Sequence, residues 1–120
     1  MNASRSAPLP AETTELLQVV GFLHLQNGHA RDAMALLEAC DHAGACHGRS
    51  LILLAFVRLR AGFPSKALSA LERADPVTRS LSAYNAVLAR CLAAAGRHDD
   101  ARQAMTAYAA ARSRALAAVR

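Results

Sequence analysis

The chain has 120 residues and a formal net charge of +5, which arises from 14 lysine and arginine residues against nine acidic ones. This length supports one domain with a single core, and an apolar content of 53% argues against a disordered chain. No apolar run approaches the ~18–20 residues that span a bilayer, and the first ten residues contain no apolar stretch typical of a secretion signal. We therefore expect a protein of the cytoplasm.

The predicted order along the chain begins with a flexible leader at residues 1–10, followed by a single domain at residues 11–120. The leader is rich in alanine and proline. A first helix is predicted to run to about Gln26. Thr13 or Thr14 is expected to cap its start, because threonine hydroxyls accept hydrogen bonds from free N–H groups at helix N-termini.

A period of 34 residues organises the rest of the chain. Gly28, Gly62 and Gly96 are 34 residues apart, and glycine tolerates the left-handed backbone that follows a helix. Small residues recur with the same period before and after these glycines: Gly21, Ala55 and Ala89, and Ala33, Ala67 and Ala101. This is the period of tetratricopeptide repeats, in which each repeat is a helix-turn-helix.

We therefore predict an all-α fold, a tetratricopeptide-like array of three helix-turn-helix repeats. The repeats are placed at about residues 14–47, 48–81 and 82–115. The later helices are predicted at Ala30–Cys40, Ser50–Arg60, Ser65–Arg73, Val77 or Arg79 to Ala94, and from about Asp99 past residue 110. Leu116 and Val119 extend the apolar stripe of the last helix, and we expect this C-terminal extension to cap the array.

Tetratricopeptide arrays line a concave face with the first helix of each repeat. The inward-facing positions of the family, carried onto this sequence, predict a partner-binding groove of Gln18, Phe22, Leu25, Gln26, Ile52, Phe56, Leu59, Arg60, Ala86, Arg90 and Ala93. Such a groove suits an amphipathic helix or an extended peptide with alternating apolar residues. The alternatives are that the protein's own leader or tail, or a second copy in a homodimer, covers it.

Other chemistry has weaker support in the sequence. Cys40, His42, Cys46 and His47 are all zinc-type ligands, but their spacing matches no standard zinc motif, and we interpret this segment as a polar connection between repeats. His24 is interpreted as a packing residue. No catalytic motif appears and the arginines are scattered, so we expect no enzyme activity, no metal, no cofactor and no nucleic-acid binding.

The first repeat carries a more specific resemblance. Two stretches, Gly21-Phe-Leu-His-Leu-Gln-Asn-Gly-His-Ala30 and Ala33-Met-Ala-Leu-Leu-Glu-Ala39, resemble the small type III secretion chaperones of the YscY (SctY) family. The likeness extends over the chain in length and number of repeats, although outside the first repeat it is a general tetratricopeptide pattern. The third repeat departs from the family in having few bulky groove residues, with alanine at positions 83, 86 and 93.

The resemblance implies a bacterial cytosolic chaperone of protein transport, associated with virulence. Such a chaperone binds a small secreted X-type (SctX) protein of the injectisome. The pair then engages the cytoplasmic domain of the export-gate protein (SctV), so contact with the membrane is only through the export apparatus. The alternatives are a chaperone of the needle subunit, which also uses a three-repeat array, and a general tetratricopeptide scaffold for protein interactions.

Overall fold

The computed structural model describes residues 10–119, so the predicted leader lies outside the described residues except for Pro10. Within that range the chain is all-helical, which confirms the predicted fold class. The helices are α1 (Ala11–Gln26), α2 (Ala30–His42), α3 (Arg49–Arg60), α4 (Pro64–Glu72), α5 (Pro76–Arg79), α6 (Ser82–Ala94) and α7 (His98–Val119). None of these helices is long and apolar enough to cross a membrane.

Three pairs of sequence-adjacent helices, α1 with α2, α3 with α4, and α6 with α7, form helix-turn-helix units. The glycine in each turn has a positive φ, between 81° and 96°. The residue after each glycine donates its backbone N–H to the carbonyl five residues earlier: His29 to His24 at 2.7 Å, Phe63 to Arg58 at 2.9 Å and Arg97 to Leu92 at 2.8 Å. The three turns therefore have the same hydrogen bonds, an arrangement compatible with a helical-repeat array.

The core lies between the helices of these units and where successive units meet. Its largest fully buried side chains are Leu37, Leu54, Leu71, Val57, Cys40 and Cys91. The small residues of the 34-residue pattern are buried as well: Gly21, Ala33, Ala55, Ala67, Ala89 and Ala101. A methyl group on Gly21 would collide with Cδ2 of Leu37, which gives a packing reason for glycine at that position.

The N-terminal cap of α1 differs from the prediction. The helix begins at Ala11 with Pro10 as its N-cap, and no side chain caps it. Thr14 donates its backbone N–H to the Pro10 carbonyl at 3.0 Å, so Thr13 and Thr14 are inside the first turn. The predicted threonine cap is wrong because the N-cap, Pro10, lies three residues before Thr13 and four before Thr14.

The helix predicted from Val77 or Arg79 to Ala94 is divided into α5 and α6. Asp75 caps α5 by accepting the Thr78 N–H at 2.8 Å. After one turn, Leu81 adopts an extended backbone with ψ of 140°, which ends the helical path before α6 begins. The helix is divided because Asp75 caps a helical turn at Pro76, and the extended backbone at Leu81 ends that turn only a few residues later.

The last helix runs past residue 110 as predicted, but its end is not covered. Leu116 is 57% exposed and Val119 is 84% exposed. With a rise of about 1.5 Å per residue, the 22 residues of α7 extend well beyond the 13 residues of α6. These two side chains therefore have no partner helix at their level among the described residues, and they do not cover the array.

Candidate partner-binding groove

Two adjoining hollows lie on the surface formed by α1, α3 and α6, the first helices of the three units. The hollow between α1 and α3 has a volume of about 430 Å³ and is lined by Glu15, Gln18, Val19, Phe22 and Leu53. The hollow between α3 and α6 has a volume of about 210 Å³ and is lined by Arg49, Ile52, Leu53, Phe56, Ala83 and Val87. Leu53 lines both hollows, and we call the two together the groove.

The groove exists because α1 packs mainly on α2 and leaves a space beside α3. One polar contact spans that space: Gln18 Nε2 donates to the Ser50 hydroxyl at 3.0 Å. This bond ties α1 to the first turn of α3 and leaves the apolar side chains further along α1 uncovered. Val19 and Phe22, further along α1, therefore remain exposed.

Exposed apolar surface is concentrated on α1. Of the eight large hydrophobic side chains that are exposed among the described residues, four belong to this helix: Leu16, Val19, Phe22 and Leu23. Val19 and Phe22 line the groove and are 55% and 45% exposed. Leu16 and Leu23 line neither hollow, so the exposed apolar surface in the groove comes from Val19 and Phe22 on this helix, and exposed apolar surface in a groove is typical of interaction sites.

Positive charge surrounds the aromatic ring on α3. The guanidinium carbons of Arg60 and Arg90 each lie 5.9 Å from the centroid of the Phe56 ring, within the range of a cation–π contact. Within residues 10–119 no carboxylate forms an ion pair with either arginine. Both remain available to a carboxylate of a partner, which guanidinium groups bind through two hydrogen bonds.

Ion pairs join α2 of the first unit to the second unit. Arg58 Nε lies 3.0 Å from Glu38 Oε2, which joins α3 to α2. Arg73 donates to both carboxylate oxygens of Asp41, at 2.7 Å and 3.0 Å. These hydrogen bonds lower the pKa of Asp41 below its usual range.

The predicted groove residues fall into three groups. Gln18, Phe22, Ile52 and Phe56 line the groove. A second group, Arg90 and Ala93, lines a separate hollow of about 340 Å³ between α6 and α7, although the Arg90 guanidinium also lies near the Phe56 ring at the edge of the groove. The others are Gln26, exposed at the end of α1, Arg60, exposed beside Phe56, and the half-buried Leu59 and Ala86.

Leu25 corrects the prediction, since it is only 4% exposed and belongs to the core. It lies three residues after Phe22, a step of about 300° around a helix with 3.6 residues per turn. This step equals about 60° in one direction, whereas Val19, three residues before Phe22, is displaced by the same angle in the other direction. Leu25 therefore lies on the side of α1 that carries the buried Gly21, four residues earlier.

The predicted set lacked three bulky apolar residues that line the groove, Val19, Leu53 and Val87, and it also lacked Glu15, Arg49 and Ala83. Val19 precedes Phe22 by three residues, and Leu53 precedes Phe56 by three. This spacing places each pair on one face of a helix. An apolar residue three positions before each phenylalanine was therefore the sequence signal for Val19 and Leu53. On α1 the prediction instead included Leu25 and Gln26, which follow Phe22.

The cysteine- and histidine-rich connection after α2 does not bring its four ligands to one point. Cys40 and Cys46 are buried, His42 and His47 are exposed, and the cysteines are free thiols. Cys46 donates its S–H to the Leu37 carbonyl at 3.7 Å, and burial raises the pKa of this thiol to about 11. Cys46 therefore belongs to the core.

Another set of potential ligands lies at the first turn. Side-chain atoms of His24, His29 and Asp32 are all within 4.8 Å of one another, the one such group of histidine, cysteine or acidic side chains among residues 10–119. His24 was interpreted from the sequence as a packing residue, and Asp32 was not among the predicted ligands. The sequence signal for this group is a pair of histidines on either side of the Gly28 turn, with an aspartate three residues after the second histidine.

Comparisons with family models, curated proteins and solved structures found no match to this chain. What the fold and the groove define is a class of protein: an all-helical domain with an exposed apolar surface that is bordered by arginines.

Proposed function

We propose that this protein is a cytosolic chaperone that holds an amphipathic helix of a partner protein in the groove. One observation carries the proposal. Apolar side chains on three successive first helices line two adjoining hollows, and Val19 and Phe22 among them are exposed. A groove of this kind accepts a helix through apolar anchors spaced three or four residues apart.

The lining indicates the chemistry of the partner. Phe22 and Val19 at one end and Val87 at the other leave room for two apolar anchors, separated by Leu53. Arg60 and Arg90 favour a partner with a carboxylate close to the anchor that meets Phe56. A short helix with an apolar stripe and acidic flanks satisfies both conditions.

The resemblance of the first repeat to the YscY (SctY) chaperones supports a specific partner. On this proposal the client is the small secreted X-type protein of the injectisome, and the pair engages the cytoplasmic domain of the export-gate protein. The segment that carries the resemblance includes Phe22 in the groove and Gly21 and Leu25 in the core, so it serves both binding and packing.

Two neighbouring residues of α1 provide a matched test. Phe22 lines the groove and is 45% exposed, whereas Leu23 is 49% exposed and lines neither hollow. We expect Phe22→Glu to weaken binding of the coexpressed X-type protein by about thirtyfold or more, the loss typical of a buried aromatic anchor. Leu23→Glu, with equal exposure and the same added charge, should bind like the unaltered protein.

Circular dichroism of both variants gives the folding control, and both should keep the helical content of the unaltered protein. Equal binding by the two variants would place the partner away from the groove. Failure of the unaltered protein to bind any X-type protein, together with a stable homodimer lost in Phe22→Glu, would favour a second copy as the occupant.

A further inference from the structure

His24, His29 and Asp32 surround the first helix-turn-helix turn and have the composition of a transition-metal site. The imidazole centroids of His24 and His29 are 5.8 Å apart, and the three residues each offer a ligand atom within 4.8 Å of the others. Two imidazoles with one carboxylate suit zinc and neighbouring transition metals, whereas calcium and magnesium prefer an all-oxygen set.

The backbone already holds the three residues together. Gly28 turns the chain with φ of 81°, and the His29 N–H donates to the His24 carbonyl at 2.7 Å. Asp32 follows in the first turn of α2. Because both helix ends are fixed, a bound ion needs only side-chain rotations to draw in its ligands. A tetrahedral ion with bonds of about 2.0 Å separates its ligand atoms by about 3.3 Å.

None of these side chains has another polar partner among the described residues. The side chains of His24, His29 and Asp32 take part in no hydrogen bond or ion pair there, whereas the carboxylates of Asp41 and Asp100, also on helices, each pair with an arginine. His24 is half-buried and the other two are exposed. The set is therefore unoccupied by protein groups and can be reached from solvent.

The other two turns show that the turn itself does not require these residues. The positions 34 and 68 residues further on have the same backbone hydrogen bonds. They carry Arg58, Phe63 and Lys66 in the second unit and Leu92, Arg97 and Asp100 in the third. The two histidines and the aspartate come together in the first turn alone, so formation of the turn does not explain them.

We propose that His24, His29 and Asp32 bind one divalent transition-metal ion, with zinc as the reference ion. The imidazole nitrogens and one carboxylate oxygen are the protein ligands, and the remaining coordination position is open to water or to a ligand from a partner. The bound ion links the end of α1 to the start of α2. This inference does not depend on the proposed chaperone function.

The test is calorimetric titration of the full chain with zinc after treatment with a chelator and removal of any affinity tag. We expect one zinc ion per chain, with the affinity lowered more than about tenfold in His29→Ala and in Asp32→Asn, since loss of an outer-shell group alone costs that much. The matched control is His98→Ala, an exposed histidine at the start of α7 that is followed by two aspartates. It should leave the affinity unchanged.

Cobalt(II) gives a second readout, because its absorption spectrum distinguishes nitrogen and oxygen ligands from thiolates. A spectrum without thiolate bands, lost in His29→Ala, supports the site. Thiolate bands would assign the ion to the cysteines and overturn the proposal. A weak affinity that His29→Ala and His98→Ala reduce equally would mean an adventitious ion only, and would overturn it as well.

Discussion

Replacement of Leu54 by alanine tests the arrangement of the core most quantitatively. Leu54 lies in α3 and has no exposed surface, and α3 packs against α2, α4 and α6. Leucine-to-alanine changes at such sites cost about 2–5 kcal/mol, because the lost burial is accompanied by an unfilled cavity. For a helix packed on three sides the surroundings have little freedom to collapse, so we expect about 3 kcal/mol.

That loss is a large fraction of the stability of a small domain. A chain of this length has an unfolding free energy of about 6–18 kcal/mol, and 1 kcal/mol corresponds to about 4 °C in Tm at this size. Thermal unfolding followed by far-UV circular dichroism should show a Tm lowered by about 12 °C in Leu54→Ala. The control is Leu116→Ala on α7, where the side chain is 57% exposed and the expected shift is no more than about 2 °C. Equal shifts in the two variants would refute the assignment of Leu54 to the centre of the core.

Three further outcomes follow from the packing and the ionisable groups. Ala67→Arg should abolish the folded state, because Ala67 has no exposed surface and a buried unpaired charge costs several kcal/mol; a cooperative thermal transition in this variant would contradict the packing of α3 on α4. Asp41→Asn should cost about 1 kcal/mol at neutral pH, a small value because Arg73 is 48% exposed. Folding lowers the pKa of Asp41 from its unfolded value of about 4. The difference in unfolding free energy between Asp41→Asn and the unaltered protein should therefore persist above about pH 4 and vanish as the pH falls through the folded pKa. A difference that is independent of pH in denaturant titrations would contradict the ion pair. Burial raises the pKa of the Cys46 and Cys91 thiols to about 11, and the thiolate is the reactive form of cysteine. Alkylation of both residues at mildly alkaline pH, followed by mass spectrometry, should therefore be far slower in the native than in the denatured protein. Equal rates would mean that the thiols are accessible in the native protein.

The fold class could be predicted from sequence because its signals are local and repeated. A glycine that must adopt a positive φ, flanked by small residues where helices approach closely, leaves few alternatives to a helical turn. The failures were local as well. Asp75 caps α5, which has only one turn. In the sequence, this cap is indistinguishable from the start of one continuous helix that extends to Ala94. The start of α1 has no side-chain cap, so its position could not be identified from a capping residue.

The groove was harder to predict because the exposure of a side chain on α1 depends on how closely each neighbouring helix packs against it. Leu25 and Val19 are similar apolar residues of α1, yet one is buried and the other is 55% exposed. The difference arises because α1 packs on α2 and leaves a gap beside α3, which is a matter of packing angle. No pattern within α1 alone encodes that angle. The grouping of His24, His29 and Asp32 depends likewise on the two helix ends meeting at the turn.

The chaperone proposal is tested most directly by the molar mass of the purified protein, measured by light scattering alone and after coexpression with the X-type protein of its own organism. The proposal predicts a one-to-one complex with the X-type protein that persists through size exclusion, and its loss in Phe22→Glu but not in Leu23→Glu. An unaltered mass in the presence of the X-type protein would contradict the proposed function, whatever the oligomeric state of the free chain.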